Sequence, residues 1–356
     1  MDCRQLQDFT TRIQNEMAKV VVGQEDLVEG LIVALFARGS VLLEGVPGVG
    51  KTLTAKALAR TLSCKFGRVQ FTPDLMPSDL TGHSVFDMSE QAFHFHPGPI
   101  FTNLLLADEI NRTPPKTQAA LLEVMEEDQV TIEGKTYPLD PPFLVVATQN
   151  PLEHEGTYPL PEAQVDRFML KLLVGYPKTE EEVEVLQLFA DGRNPHDLEA
   201  FGLERVMTTV DVVAAQQAAA KVLTDGDVLR YIAQLIQATR SRREVAVGAS
   251  PRGGIGILRA ARALAAMRGR DFVTPDDVKE VAPAVLRHRI LLRPDAEIEG
   301  TTVDYIVGSI LESISVPRGA AGGEPNRRND PGIIDSPLQT PPDHSRDPHD
   351  QEGDRT

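Results

Sequence analysis

Cysteine is scarce in this chain of 356 residues, which contains only Cys3 and Cys64. Two cysteines provide no disulfide framework, and such scarcity is typical of a protein from a reducing compartment. Long apolar runs are also missing, since the longest, Leu31 to Ala37, has seven residues and is too short to span a bilayer. The first twenty residues are amphipathic and lack the apolar core of a signal peptide. These absences predict a cytoplasmic globular protein.

Basic residues are fewer than acidic ones. The chain has 36 lysines and arginines against 52 aspartates and glutamates, which gives a net charge of −16. This balance argues against a general nucleic-acid or membrane binder. Apolar residues make up 41% of the chain and charged residues 25%, the composition of a soluble folded protein.

Sequence patterning divides the chain into three regions. From Ser40 to about residue 175, short apolar runs alternate with helical stretches, which indicates a parallel sheet covered by helices. Helical periodicity prevails afterwards, and the last forty residues contain seven prolines and few large apolar side chains. We therefore expect an α/β domain with N-terminal helices over residues 1–176, an all-helical domain over 177–316 and a disordered tail over 317–356.

Five apolar runs are candidates for buried strands of the sheet: Val41–Leu43, Val69–Phe71, Leu104–Leu106, Phe143–Ala147 and Phe168–Val174. Helices are predicted between and after them, near residues 51–62, 115–127, 161–166, 179–190, 211–221, 225–240, 254–268, 275–288 and 303–315. Two further segments, 84–96 and 129–139, have the alternation of hairpins, and the second turns at Glu133-Gly134.

A phosphate-binding loop is predicted between the first strand and the helix after it. The residues there fit G-x-x-x-x-G-K-[ST], with the sequence Gly45-Val46-Pro47-Gly48-Val49-Gly50-Lys51-Thr52. Glycines let successive backbone N–H groups converge on phosphate, and the N-terminus of the following helix adds a partial positive charge. Lys51 is expected to bridge β- and γ-phosphate oxygens, and the Thr52 hydroxyl to ligate Mg²⁺.

Asp108 and Glu109 end a predicted buried strand, 56 residues after Thr52. Ligands bind beyond the carboxyl ends of parallel strands, so Asp108 is expected to reach the Mg²⁺ shell through water and Glu109 to polarise the attacking water. By itself such a pair would also suit a solvated acidic loop. Behind a phosphate-binding loop, the second carboxylate favours hydrolysis over mere binding.

Four longer segments resemble the MoxR family of AAA+ ATPases: Phe71–Gly82, Asp108–Gln118, Ala147–Pro151 and Glu155–Phe168. The resemblance covers residues 1 to about 315 and leaves out the tail. It implies a P-loop AAA+ core with a parallel sheet, a helical lid domain, and ATP and Mg²⁺ as ligands. The implied activity is hydrolysis of ATP to ADP and phosphate.

The same resemblance implies roles for further residues. Asn150 matches the first sensor, an amide that orients the attacking water. Arg167 matches the arginine finger that enters a neighbouring subunit's site, and Arg252 matches the second sensor, which could serve its own site or a neighbour's. Gly23 lies in a segment that resembles the one touching adenine, and Arg112 is a further basic candidate near the interface.

Ordinary structural roles remain open for these residues. Asn150 could be a turn amide, and Arg167 could form a surface salt bridge with Asp166 or Glu162. The segment around Gly23 could be a simple loop between helices. The two hairpins would face the ring's pore or the substrate side if they match the family's insertions, or they could be decorative.

Three histidines, His83, His94 and His96, lie in or beside the first predicted hairpin. A zinc site would need further ligands at known spacings, and Cys64 is the only thiol nearby. A solvated hairpin face is the favoured interpretation.

The resemblance implies an oligomeric ring, expected to be a hexamer, that remodels or matures partner proteins. The expected partners are a von Willebrand factor A domain protein and a client protein. A DNA-linked AAA+ motor of helicase type is the alternative, and the acidic balance and the lack of a recognisable helix-turn-helix or zinc module count against it. A GTPase would need Asn-Lys-x-Asp at a strand end, where this chain has Thr148-Gln149-Asn150-Pro151. A small-molecule kinase would need neither Glu109 nor a finger in trans.

Overall fold

The structure is a computed structural model that describes residues 1–151, 156–194 and 197–317. Its strands are β1 (Val41–Gly45), β2 (Phe66–Gln70), β3 (Gly82–Asp87), β4 (Ala92–Pro97), β5 (Leu104–Asp108), β6 (Gln129–Ile132), β7 (Lys135–Pro138), β8 (Leu144–Gln149), β9 (Leu170–Val174), β10 (Val245–Val247) and β11 (Leu291–Leu292). Its helices are α1 (Cys3–Ala18), α2 (Glu25–Phe36), α3 (Lys51–Thr61), α4 (Pro77–Thr81), α5 (Pro115–Glu127), α6 (Glu162–Val165), α7 (Thr179–Ala190), α8 (Thr209–Ala220), α9 (Gly226–Ser241), α10 (Pro251–Met267), α11 (Pro275–Leu286), α12 (Pro294–Ile298) and α13 (Val303–Ser313).

A five-stranded parallel sheet lies at the centre, in the order β2-β5-β8-β1-β9. The predicted α/β class and all five predicted strand positions are confirmed. The edge strand β2 begins at Phe66, three residues before the predicted start at Val69. An edge strand is covered on fewer sides, and most of β2 is accordingly only partly buried or exposed. Its first half therefore has no apolar run that would predict a buried strand.

The sheet separates two apolar layers. Successive side chains of a strand point to opposite faces, and Leu42 and Leu43 accordingly belong to different core clusters. In β5, Leu104 and Leu106 join the cluster that contains α1 to α3, whereas Leu105 joins the one that contains α5. Every residue of β5 is buried, as expected for a strand covered on both faces by helices.

Helices follow the sheet, and all six that were predicted after residue 177 are confirmed as α7 to α11 and α13. The short α12 and the two-stranded sheet of β10 and β11 were not predicted, because two to five residues are too few to show a periodicity. Residues 1–317 form one compact unit. The division at residue 176 stays a prediction, and from residue 318 onward the predicted disordered tail lies outside the described residues.

Both predicted hairpins are present. Strands β3 and β4 pair antiparallel, as do β6 and β7. The second hairpin turns at Glu133 and Gly134, which both have positive φ, 50° and 80°, as a two-residue turn of this hand requires. Within the described ranges, no helix combines the length and the apolar character needed to cross a bilayer.

A buried ion pair fixes the connection between α10 and α11. Asp277, fully buried in the first turn of α11, accepts hydrogen bonds from both terminal nitrogens of Arg270, at 2.7 and 2.5 Å. It also accepts from the backbone N–H and the hydroxyl of Thr274, each at 2.8 Å. Burial alone would raise the pKa of Asp277, but the hydrogen bonds from Arg270 and Thr274 outweigh it and lower that pKa.

We predict that Asp277→Asn lowers the free energy of unfolding by about 3 kcal/mol at pH 7, because it leaves Arg270 without its carboxylate. A carboxyl whose pKa is lower in the folded state stabilises the fold above its unfolded value of about 4 and loses that effect as the pH falls through the folded value. The difference between variant and wild type should therefore shrink in urea titrations below about pH 4. Asp276→Asn, on the exposed neighbouring residue, is the control, and a pH-independent difference would contradict the assignment.

Candidate nucleotide site

The predicted phosphate-binding loop connects β1 to α3. Gly48 and Gly50 have φ of +87° and +86°, a left-handed conformation that glycine adopts without strain. Gly45 is required for a different reason, because a Cβ atom there would lie 2.3 Å from the carbonyl oxygen of Val174 in β9. The loop therefore has the backbone shape that its glycines predict, and its first glycine packs closely against β9.

Lys51 and Thr52 begin α3 at the end of this loop. The Lys51 ammonium donates to the carbonyl oxygens of Gly45 and Val46, the latter at 3.1 Å, and so lies across the loop. The Thr52 hydroxyl is 3.4 Å from Oδ2 of Asp108. The structure thus brings together the hydroxyl and the carboxylate predicted to hold Mg²⁺, beside the N-terminus of a helix, where anions are favoured.

The Asp108 carboxylate, at the end of β5, is buried and held on both sides. Its Oδ1 accepts a hydrogen bond from the Thr148 hydroxyl at 2.6 Å. Its Oδ2 accepts two from Arg68, from Nη2 at 2.8 Å and from Nε at 3.2 Å. Thr148 also accepts the backbone N–H of Glu109 at 2.9 Å. One threonine on β8 therefore fixes the positions of both acidic residues.

Glu109 has a left-handed backbone, with φ of 57° and ψ of 50°, which is uncommon for a residue with a side chain and concentrates at functional sites. Its Oε2 accepts a hydrogen bond from Gln70 Nε2 at 2.6 Å and lies 3.2 Å from Nε of Arg112. Arg112, proposed from the sequence as a candidate near the interface, thus contacts Glu109 of its own chain.

Arg68, Gln70 and Thr148 were not identified from the sequence. Arg68 and Gln70 are two residues apart on β2, so their side chains share a face of the strand, and β2 pairs with β5 so that Gln70 lies opposite Asp108. The available signal was two long polar side chains at alternate positions of a strand that leads into the Phe71–Gly82 segment.

Asn150 and Gly23 lie at the same edge of the sheet. Asn150 directly follows β8, between β5 and β1 in the sheet, and is buried. Gly23, with φ of +66°, packs so closely against Glu181 of α7 that a Cβ atom would lie 2.4 Å from that side chain. Because α7 follows β9, the neighbour of β1, this packing keeps Gly23 on the side of the phosphate-binding loop. The roles of both residues stay predictions.

Arg167 lies at the opposite edge of the sheet. The residues of β1 and β9 pair in parallel, from Val41 with Leu170 to Gly45 with Val174. Arg167 precedes β9, whereas the phosphate-binding loop follows β1. The length of β1 therefore separates them along the sheet, roughly 13 Å for four residue steps.

Arg252, in the first turn of α10, lies beside Arg167 and not beside the phosphate-binding loop. Its Nη2 is 2.5 Å from Oε1 of Glu126, and its Nη1 is 3.7 Å from Oδ2 of Asp166. Arg167 contacts the other oxygen of Glu126, with Nε 3.3 Å from Oε2. The salt bridge of Arg167 is thus formed with Glu126, and not with Asp166 or Glu162, the partners considered in the alternative interpretation. No local sequence pattern indicates Glu126.

A cavity of about 500 Å³ opens at this second edge. Its charged lining consists of five arginines and three acids: Arg38, Arg167, Arg252, Arg259, Arg289, Glu126, Asp128 and Asp166. In a chain with an excess of acidic residues, this local excess of guanidinium groups makes the cavity a favourable place for an anion.

The three histidines of the first hairpin are exposed, as predicted for a solvated hairpin face. His94 Nε2 lies 2.8 Å from Oε2 of Glu90. Within the part of the chain that the structure describes, no cluster of three or more histidine, cysteine or acidic side chains has the arrangement of a metal site.

Two family models match the chain. The one described as ATPase family associated with various cellular activities (AAA) matches residues 40–170, and the AAA lid domain matches residues 237–310. The first of these ranges contains four of the five strands of the central sheet, the phosphate-binding loop, Asp108, Glu109, Asn150 and Arg167. The second contains Arg252 and most of the helices that follow α9.

Among curated proteins, the chain is 48% identical over 299 residues to the uncharacterized protein YeaC of Bacillus subtilis, covering 84% of this chain and 92% of YeaC. It is 45% identical over 312 residues to Chaperone MoxR1 of Mycobacterium tuberculosis, covering 85% and 81%. It also resembles the crystal structure of a presumed ATPase from Cytophaga hutchinsonii, with a TM-score of 0.82, 41% identity, and coverage of 89% and 97%.

We predict that Lys51→Ala weakens ATP binding by about 100-fold, because it removes a charged donor to the phosphates. Isothermal titration of the purified variant with ATP and Mg²⁺ measures the loss. Lys56→Ala, which changes an exposed lysine on the same helix, should bind as the wild type does. Unchanged affinity in Lys51→Ala would contradict the assignment of the loop.

Proposed function

The chain belongs to the MoxR family of AAA+ ATPases, and from this membership we propose that it binds ATP with Mg²⁺ and hydrolyses it to ADP and phosphate. The observation that carries the proposal is the convergence of four features at one edge of the sheet. These are the glycine-shaped loop ending in Lys51, the Thr52 hydroxyl beside Asp108, the strained Glu109, and Asn150 after β8.

Each residue of this edge has a proposed role. The loop binds the phosphates, and Thr52 and Asp108 hold Mg²⁺, which when bound neutralises phosphate charge. Glu109 accepts the proton of the attacking water, and Asn150 orients that water. Gly23 contributes to the surface for the adenine.

We assign Arg167 and Arg252 to the nucleotide of an adjoining copy. Both lie at the edge of the sheet away from their own phosphate-binding loop, and their contacts with Glu126 keep them there. We call the edge of the sheet with Arg167 and Arg252 the arginine edge, and the edge with the phosphate-binding loop the loop edge. Two copies related by rotation about a ring axis would bring the arginine edge of one to the loop edge of the next. An arginine supplied in this way is worth about 10³–10⁵ in rate, so a ring, which we expect to be a hexamer, would hydrolyse ATP far faster than an isolated subunit.

The work done by hydrolysis is proposed to be remodelling or maturation of partner proteins. The name of the relative Chaperone MoxR1 supports a chaperone-like activity. The hairpin of β3 and β4 offers a surface for a client, because Phe86, Met88 and Phe93 near its tip are exposed. A von Willebrand factor A domain protein as partner and a cytoplasmic location complete the proposal. The comparisons give no support to a DNA-linked motor.

We expect Glu109→Gln to bind ATP with wild-type affinity and to reduce turnover by about 10²–10⁴, because the amide keeps the shape but cannot accept a proton. Release of phosphate measures turnover, and titration with ATP measures binding. Glu127→Gln, an exposed glutamate at the end of α5, serves as the control. Rapid turnover by Glu109→Gln would remove Glu109 from its role.

Mixing two inactive variants tests whether sites are shared. Arg167→Ala keeps an intact loop, and Lys51→Ala keeps an intact arginine edge, so mixed oligomers should recover ATPase activity that neither variant has alone. The recovered rate should depend on the ratio of the two variants and vanish when either is pure. Absence of recovery, or full activity of a strictly monomeric wild type, would contradict the assignment in trans.

A further inference from the structure

Glu126 lies between the two arginines assigned to the neighbouring nucleotide. It is the next-to-last residue of α5, and each of its carboxylate oxygens contacts a different arginine, Oε1 with Arg252 and Oε2 with Arg167. A single side chain therefore connects a residue just before β9 with the first turn of α10.

We propose that Glu126 is a positioning residue for ATP hydrolysis in trans, whose carboxylate holds Arg167 and Arg252 side by side for the triphosphate of an adjoining copy. The inference deepens the proposed function and rests on it. Glu126 itself has no role in binding the nucleotide of its own chain, since it lies at the arginine edge of the sheet.

Electrostatics explains why a carboxylate is needed there. Two neighbouring guanidinium groups repel each other, and three further arginines line the same cavity. Arginine side chains are also long and have many rotamers, so a single position must be enforced by contacts. A carboxylate shared between the two groups offsets their repulsion and limits both sets of rotamers.

The contacts leave the arginines able to bind phosphate. A guanidinium has five N–H donors, and the contact of Arg167 with Glu126 engages its Nε. The side chains of Arg167 and Arg252 are 34% and 45% exposed, so an incoming subunit can reach both. Phosphate oxygens form bidentate, charge-assisted hydrogen bonds with arginine, which suits donors already held in place.

Asp166, the other acid that contacts Arg252, is less suited to this role. Asp166 lies 3.7 Å from Arg252 but only 2.7 Å from Nε of the buried Arg289. Asp166 therefore serves mainly to anchor Arg289, and Glu126 is the carboxylate closest to Arg252 and the one paired with Arg167.

We expect Glu126→Ala to lower kcat by about 10- to 100-fold, because a displacement of the two arginines by about an ångström would reduce their acceleration of hydrolysis by a factor of that size. The KM for ATP should not change, since the phosphate-binding loop is intact. Steady-state ATPase assays measure both values, and the midpoint of thermal unfolding shows that the variant is folded. Glu127→Ala, on the exposed next residue, is the matched control and should behave as the wild type.

Mixed oligomers then locate the defect. Glu126→Ala mixed with Lys51→Ala should recover ATPase activity, because the intact loop of Glu126→Ala can meet the intact arginine edge of Lys51→Ala. Glu126→Ala mixed with Arg167→Ala should recover none, because both subunits carry a defective arginine edge.

Unchanged or increased kcat in Glu126→Ala overturns the proposal, and so does a matching change in Glu127→Ala. The reference mixture of Arg167→Ala with Lys51→Ala separates the two levels of inference. One outcome is that the reference mixture recovers ATPase activity while the mixture of Glu126→Ala with Lys51→Ala does not. In that case only the proposed role of Glu126 is contradicted. If the reference itself does not recover, the sharing of sites between copies fails, and the role of Glu126 fails with it.

Discussion

The parallel pairing of β1 with β9 is the constraint on which the rest of the structure depends. It fixes the phosphate-binding loop after one strand and Arg167 before the other, at opposite edges of the sheet. Strands buried on both faces cannot slide against each other without exposing apolar side chains. The distance between loop and arginine is therefore a fixed property of the fold, and it is the reason why we propose that a second copy completes the site.

At the loop edge, two adjacent carboxylates have to coexist. Asp108 and Glu109 would repel each other, but β5 lies between β2 and β8, and each neighbouring strand supplies donors. Arg68 and Gln70 come from β2, and Thr148 comes from β8. The order of strands thus positions the acidic pair as firmly as the local turn does, since every one of these contacts crosses between strands.

Sequence patterns predicted the parts of this arrangement that are local. The loop at 45–52 and the buried strand before Asp108 are continuous segments, and their elements are confirmed. Patterns could not identify Thr148 or Arg68 as partners of Asp108, because a polar residue on a strand acquires its partner only through pairing with another strand. Likewise, Arg252 reaches Glu126 across 126 residues, a contact set by the tertiary fold and not by any local pattern.

The clustering of five arginines around one cavity explains how a chain with a net charge of −16 can have a cationic cavity. Overall acidity acts at long range and is screened by salt within about 10 Å, whereas the arginines act by direct contact. Glu126 and Asp166 lower the repulsion between Arg167 and Arg252 without engaging all of the N–H donors of these two arginines. We therefore propose that charge at this edge is arranged for one polyanion at short range, whereas the net charge of the chain disfavours binding of extended polyanions such as nucleic acid.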